Sequence, residues 1–312
     1  MRLVIFGCGK IANRIAKSCK LVEGLDLVGF ASRDINKAKE YCETYNCKEY
    51  GNYDYFLNSD VDAVYIATYN KSHYSLIKEA ILHNKNVICE KPMLSSIEKN
   101  KELFALARKH NVLLMEALKS VFLPIIIKTK QIINDKKLGN VISISAGFMR
   151  NGSHDDNHWI NDPDCGGALL DLGSYCIGTM NYLLDKKPVL KEIETNMTAT
   201  KADSTSIVTV DYDDIEGKCS VSNRLDGDNS LYIKFEKGYL KIENYWKNNN
   251  GYYVLNDKRY ELNEELISDF YYELKHFNDL VDKGIKESNV MNEQASENIL
   301  IITGVNQNDY SK

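Results

Sequence analysis

Three groups of residues in this 312-residue chain have types and spacings that suit chemistry. The first is Lys91, which follows Val87-Ile88-Cys89-Glu90 and precedes Pro92. The apolar run reads as a buried strand, and Pro92 ends it by removing a backbone donor and holding Lys91 extended. Ligands bind at the carboxyl ends of strands in open parallel sheets, so a charged residue there is a candidate for chemistry. The alternative is a lysine that simply meets solvent. The second group is Asp171 and Tyr175, after the glycine pair Gly166-Gly167. The pair permits a sharp turn into a helix, and residues four apart share one face of it. A tyrosine hydroxyl can give a proton to a developing alkoxide, and a nearby ammonium eases this by stabilising the phenolate; a buried tyrosine with one hydrogen bond fits the same letters.

The third group is Gly7-Cys8-Gly9-Lys10-Ile11-Ala12, which matches G-x-G-x-x-G/A. The apolar strand Arg2 to Phe6 precedes it, and Ile11, Ile15, Ala16 and Cys19 recur afterwards at helical spacing. In that context the first glycine makes a tight turn, the second lets the backbone approach a pyrophosphate, and small Ala12 lets helix pack on strand. The anion belongs at the helix amino end, so Gly7, Gly9, Lys10 and Ile11 are expected cofactor contacts. After a second strand, Leu25 to Ala31, an acidic residue usually holds the ribose 2′-hydroxyl of NAD. Here Ser32, Arg33 and Lys37 converge instead, a hydroxyl and two cations where a 2′-phosphate would lie. NADP is therefore expected, with NAD possible if Asp34 turns inward. Asn70 and His73 follow a further buried strand, Ala63 to Thr68, and can face the same cleft; His73 reads equally as a capping or packing residue.

These groups need a scaffold. A helix from Ile35 to about Tyr45, a short strand near Lys48 to Tyr50, the helix Tyr74 to Asn84, a helix from Ser95 or Ser96 to about His110 and a strand Val112 to Ala117 complete an alternation with short connections. The pattern predicts an α/β, doubly wound parallel sheet over residues 1–118. The rhythm then changes. A long amphipathic helix is expected over Phe122 to Leu138, then strand-like runs at Val141 to Phe148, Val189 to Met197, Ser206 to Tyr212, Gly217 to Arg224 and Ser230 to Tyr245, and a helix Leu266 to Asp282. Alternating polarity in these runs predicts an α+β domain over 119–312 with an open, largely antiparallel sheet.

Composition sets bounds. With 44% hydrophobic and 27% charged residues and a net charge of −5, nothing suggests nucleic acid as a partner. No stretch approaches the ~20 apolar residues of a membrane span, and the first residues lack the apolar run of a signal peptide, so a cytoplasmic location is the default. Eight scattered cysteines, with no C-x-x-C and no histidine pair at ligand spacing, read as reduced thiols; no metal is expected.

Taken together, these motifs resemble the Gfo/Idh/MocA family of oxidoreductases, in its branch similar to dihydrodiol dehydrogenase and glucose-fructose oxidoreductase. The likeness spans nearly the whole chain. It rests on the glycine turn, Ala31-Ser32-Arg33 with Lys37-Ala38, Thr68 to His73, Glu90-Lys91-Pro92, Met115-Glu116-Ala117, and Gly166 to Gly173 followed by Tyr175. The resemblance implies a Rossmann domain and a second domain whose open sheet forms a homodimer or homotetramer. It implies that Lys91 orients and polarises a reacting hydroxyl or carbonyl while Tyr175, beside Asp171, exchanges the proton. It also implies that the glycine turn, Ser32, Arg33, Lys37, Thr68, Tyr69, Asn70, His73 and Glu90 serve NADP. Lys119-Ser120-Val121-Phe122 departs from the family's usual Arg-Phe ending, placing a lysine near the expected cleft. Arg150, His154, Asp155, Asp156, His158 and Trp159 suit a hydroxylated substrate, or a solvated loop anchored by one tryptophan. Lys119, His158, Trp159 and Asn161 are accordingly expected substrate contacts, for a sugar, cyclitol or vicinal diol. Two rival readings share the fold: an enzyme that recycles a tightly held cofactor between two substrates, and a non-catalytic NADP sensor.

Overall fold

A computed structural model describes residues 1–152 and 158–304. Its first compact unit comprises Met1–Ala117 and Phe270–Glu293. Strands β1 (Arg2–Phe6), β2 (Asp26–Ala31), β3 (Glu49–Gly51), β4 (Ala63–Ile66), β5 (Asn86–Glu90) and β6 (Leu114–Ala117) alternate with α1 (Lys10–Cys19), α2 (Ile35–Tyr45), α3 (Tyr53–Leu57), α4 (His73–Leu82) and α5 (Ile97–His110). All strands pair in parallel in the order β3-β2-β1-β4-β5-β6. The order reverses at β1, and that switch point is where α/β sheets open a crevice for ligands.

The helices start where the sequence provides caps. Asp34 accepts from the backbone N–H groups of Asn36 and Lys37 to begin α2, and Ser96 accepts from Lys99 N to begin α5. Asn46 and Asn111 end these helices in the left-handed conformation, where asparagine is tolerated. One sheet face, with Val4, Phe6, Val64, Ile66, Val87 and Cys89, is buried among residues of α4 and α5 such as Ile77, Ala80, Leu103 and Phe104. Alternation sends Ile5, Tyr65, Ile88 and Glu90 to the other face. There α9 (Tyr271–Asp282) joins α1, burying Glu273, Leu274 and Phe277. This helix comes from beyond residue 118, so the boundary expected from the sequence divides one compact unit.

Of the described residues, 118–152, 158–269 and 294–304 form the second unit. It carries α6 (Pro124–Asn134), β7 (Val141–Met149), α7 (Ala168–Asp171), α8 (Gly173–Leu184), then β8 (Val189–Met197), β9 (Asp203–Tyr212), β10 (Ile215–Ser222), β11 (Ser230–Phe235), β12 (Gly238–Glu243), β13 (Asn250–Leu255) and β14 (Lys258–Asn263). The eight strands order as β14-β13-β12-β11-β7-β10-β9-β8, antiparallel except for β7 with β10. Three sequence expectations are corrected. The run Ser230 to Tyr245 is a hairpin, β11 and β12, turned at Glu236-Lys237; Gly238, which opens β12, packs so close to β13 that a Cβ there would meet the Val254 carbonyl at 1.8 Å. Strands β13 and β14 were not anticipated, because their Asn- and Lys-rich turns hide the alternation. Helix α6 is shorter than Phe122 to Leu138: Pro124 starts it and it ends by Asp135.

Candidate active site

The glycine turn is forced by close packing. Gly7 has φ 112°, and a Cβ there would lie 2.5 Å from the carbonyl oxygen of Ala67, the residue that follows β4. Gly9 meets nothing within 4 Å, so the backbone lies open to a ligand. It precedes α1 without a side-chain cap, leaving the first-turn N–H groups of Lys10 and Ile11 directed at that space. Tyr41 Oη donates to the Gly9 carbonyl, 3.2 Å away, and fixes the turn from α2. Cys8, in the middle of the turn, has its thiol pushed up to about 11 by burial, against the opposing effects of Ser32 and Lys37. It is therefore a neutral packing group at neutral pH.

At the end of β2, Asp34 N donates to Ser32 Oγ at 3.1 Å, while the Asp34 carboxylate caps α2. Asp34 is committed to that helix and does not reach inward. Arg33 and Lys37 are exposed, and Tyr53 stands beside Arg33, whose charge partly offsets the upward push of burial on the phenol. An open glycine backbone, uncapped helical donors and two free-standing cations fit a phosphorylated dinucleotide.

Beyond β4, Thr68 Oγ1 and Ser72 Oγ lie 2.8 Å apart, and Asn70–Ser72 forms a 3-10 turn with Tyr69 exposed and Asn70 half-buried. His73 is fully buried. Its Nδ1 lies 3.1 Å from the Pro92 carbonyl oxygen and 3.2 Å from that of Met93, and Nε2 lies 3.2 Å from that of Thr68. Burial holds its pKa below the usual histidine range, against the opposing pull of those carbonyls. Any service to a cofactor passes through the backbone that His73 braces.

Lys91 is half-buried at the carboxyl end of β5, and its peptide bond to Pro92 is cis. The residues around it are held by buried carboxylates. Glu116 accepts from Met93 N at 2.9 Å, and Glu90 Oε1 accepts from Tyr65 Oη at 2.9 Å. Tyr65 Oη also lies 3.3 Å from Glu273 Oε1 on α9. Neither Tyr65 nor Glu273 figured in the sequence reading; Glu273 lies 208 residues from Tyr65, and no local pattern links them.

In the second unit, Gly167 has φ 92°, and a Cβ would stand 2.0 Å from Asp203 Oδ1. Asp203 Oδ2 in turn accepts from Leu169 N and Ser206 Oγ, each at 2.8 Å. Asp203 thus anchors the first turn of α7 from β9, another role that local sequence does not display. The expected single helix is interrupted: α7 ends at Asp171, Leu172 intervenes, and α8 starts at Gly173. Asp171 and Tyr175 are both buried, in consecutive helices rather than on one face of one helix. The Tyr175 ring centroid lies 5.9 Å from that of Phe148, which stacks on Trp246 at 3.6 Å. Trp246, missed by sequence reasoning, could have been sought as the second of only two tryptophans. The tyrosine ring is therefore part of an aromatic cluster with Phe148 and Trp246.

The expected substrate contacts separate. Lys119 is buried and paired with Asp269, which neutralises its charge. Asn161 is also buried: its Oδ1 accepts from Arg224 at 3.1 Å and its carbonyl from Thr200 Oγ1 at 2.6 Å. His158 Nδ1 accepts from Ile160 N at 3.3 Å, with its ring 5.6 Å from Trp159. His154, Asp155 and Asp156 lie outside the described residues.

Comparison with known proteins agrees with this geometry. Residues 1–118 match the model of an oxidoreductase family with an NAD-binding Rossmann fold, and residues 126–241 match the GFO/IDH/MocA C-terminal domain. The chain belongs to the GFO/IDH/MocA family, and is an NAD(P)-binding oxidoreductase of the kind that acts on CH–OH groups. Similar proteins include trans-1,2-dihydrobenzene-1,2-diol dehydrogenase of Mus musculus, 29% identical over 93% of this chain and 91% of that protein. The Xenopus laevis protein of that name is 28% identical over 96% and 94%. Among solved structures, a 3-ketoreductase from Actinomadura kijaniata in complex with TDP-benzene and NADP superposes with a TM-score of 0.86 at 19% identity, covering 97% of this chain and 95% of that one. Aldose-aldose oxidoreductase from Caulobacter crescentus, complexed with glycerol, gives 0.87 at 21% identity over 96% and 94%. No described helix is long and apolar enough to cross a membrane.

Proposed function

We propose that the protein is an NADP-dependent dehydrogenase acting on a secondary alcohol or carbonyl of a sugar, cyclitol or vicinal diol. The observation that carries this reading is Lys91, held at the carboxyl end of β5 in the same unit as the glycine turn. When bound, NADP supplies or accepts the hydride. Gly7, Gly9, Lys10 and Ile11 hold its pyrophosphate, and Ser32, Arg33 and Lys37 its 2′-phosphate; Asp34 supports this choice because its carboxylate is already used by α2. Thr68, Tyr69, Asn70, Glu90 and the backbone braced by His73 border the nicotinamide. The Lys91 ammonium donates a hydrogen bond to the reacting oxygen. Tyr175 Oη exchanges its proton with that oxygen, and Asp171 accepts from a substrate hydroxyl. The substrate names of the mouse and Caulobacter proteins support diols and sugars as first candidates.

The same reading extends to assembly. By strand alternation, Ser145, Ser220, Tyr232, Tyr239 and Tyr252 lie on the sheet face opposite α8, all half-exposed, and suit contact with a second copy.

The deciding experiment follows nicotinamide absorbance with NADP, and separately NAD, over aldoses, inositols and vicinal diols, beside the Lys91→Ala protein. Turnover of one substrate class, reduced roughly 100-fold or more in the variant while NADP still binds, is the expected result. Undiminished turnover in Lys91→Ala removes the lysine from the chemistry. Silence throughout, with NADP bound, turns the reading toward a sensor.

A further inference from the structure

The Tyr65 hydroxyl has one proton and two buried carboxylates within reach. Glu90 Oε1 is 2.9 Å away and Glu273 Oε1 3.3 Å, and Tyr65 and Glu273 are both fully buried. A phenol donates to one acceptor well, so the pair must share it. The three side chains meet on one face of the parallel sheet. Tyr65 pairs in register with Ile88, and alternation places Glu90, two residues on, on that same face. Glu90 is the last residue of β5, and Lys91 follows it directly. The third member comes from α9, which completes the cover of this face long after the sheet has ended in sequence.

This arrangement is costly unless it holds something in place. Burying a polar bridge of this kind is unfavourable compared with an apolar filling of the same volume. A hydrophobic contact between α9 and β4 would cover the sheet equally well. A hydrogen-bonded bridge adds direction, fixing the rotamer of Glu90 and the exit angle of the chain that carries the lysine.

We propose that Glu273 is a positioning residue for the reaction, acting through Tyr65 on Glu90 and so on the strand end that presents Lys91. This rests on the reading of Lys91 given above. Glu273 touches neither substrate nor cofactor in this role; its effect is geometric.

The test uses the full-length protein with NADP and four variants: Tyr65→Phe, Glu273→Gln, Glu273→Leu and the double variant Tyr65→Phe/Glu273→Leu. Hydrogen exchange of the peptide covering 86–93 needs no substrate. Tyr65→Phe and Glu273→Leu are expected each to speed exchange there by roughly 10-fold, with the double variant no faster than the faster single, because both break one bridge. Glu273→Gln retains an acceptor and is expected to restore slow exchange. Turnover follows the same order: kcat falls roughly 10-fold in Tyr65→Phe and Glu273→Leu, recovers in Glu273→Gln, and NADP affinity is unchanged. A merely structural role would alter melting and exchange throughout the unit and leave kcat intact. The proposal is overturned by unchanged exchange at 86–93, by multiplicative effects in the double variant, or by Glu273→Gln behaving like Glu273→Leu. If Lys91→Ala itself keeps full activity, the catalytic reading fails instead, and the exchange measurement still reports on the bridge.

Discussion

His73 Nδ1 lies 3.1 Å from the carbonyl oxygen of Pro92, so the residue that opens α4 clasps the segment that follows Lys91. The clasp is neutral by construction, since burial disfavours the imidazolium. Its pKa lies below the ordinary histidine value of 6.5, so between that lower value and 6.5 the unfolded chain binds the proton and the native protein does not. Stability is therefore full above about pH 6.5 and is lost as pH falls below it, levelling once the native histidine also titrates. Half-buried His276 shifts in the same direction and adds to the loss. Melting temperatures from about pH 8 to pH 5 should fall less steeply in His73→Gln than in the unaltered protein; parallel curves would show that His73 takes no part.

Arg33 and Lys37 stand in the open where Asp34 cannot compete. Replacing Arg33 by alanine should weaken NADP by roughly 10- to 100-fold, the scale of one charge-assisted contact, and NAD by less than about 3-fold. Titration of both cofactors into both proteins decides it. Equal losses would move the 2′-phosphate away from this corner.

Gly167 is pinned by its backbone angle and by Asp203. Alanine there must adopt a left-handed φ and displace the carboxylate that caps α7, a combined cost of roughly 2–4 kcal/mol. Denaturant unfolding should show it, together with loss of any activity that needs Tyr175 in place. A variant as stable as the parent would mean that the turn relaxes freely.

The buried Lys119–Asp269 pair makes a sharper contrast. Asp269→Ala takes a carboxylate away from a buried ammonium and should cost about 3 kcal/mol or more, whereas Lys119→Met with Asp269→Leu should recover most of that loss. If Lys119→Met/Asp269→Leu is no more stable than Asp269→Ala, the lysine owes its place to something other than its partner.

The first unit was largely legible because its elements are short, regular and bounded by strong local signals. Gly7 and Gly9, the cap at Ser96 and the β-branched strands each announce their geometry within a few residues. Long-range partners left no such trace. Asp203 serves α7 from a strand 34 residues away, and nothing around Asp203 differs from an ordinary strand start. Lys119 read as a cleft cation because its partner, Asp269, is 150 residues distant. The break at Leu172 escaped for a different reason: helical spacing predicts faces only while the helix continues. Strands β13 and β14 were obscured by turns at Asn248 to Asn250 and at Asn256-Asp257, whose polar residues mask the alternation on either side.

Helix α9 gives the molecule an order of manufacture. Its parallel sheet is complete in sequence by Ala117, yet the helix that covers Tyr65 and Glu90 starts only at Tyr271, after about half the chain has followed. At synthesis rates of about 5–20 residues per second, that face waits roughly 8–30 seconds without its lid. A nascent chain in this interval shows water a surface of Ile88, Tyr65 and Glu90, and a fragment cut after 118 would keep it exposed. The dinucleotide-binding unit is thus finished late, by the segment that emerges after the antiparallel sheet.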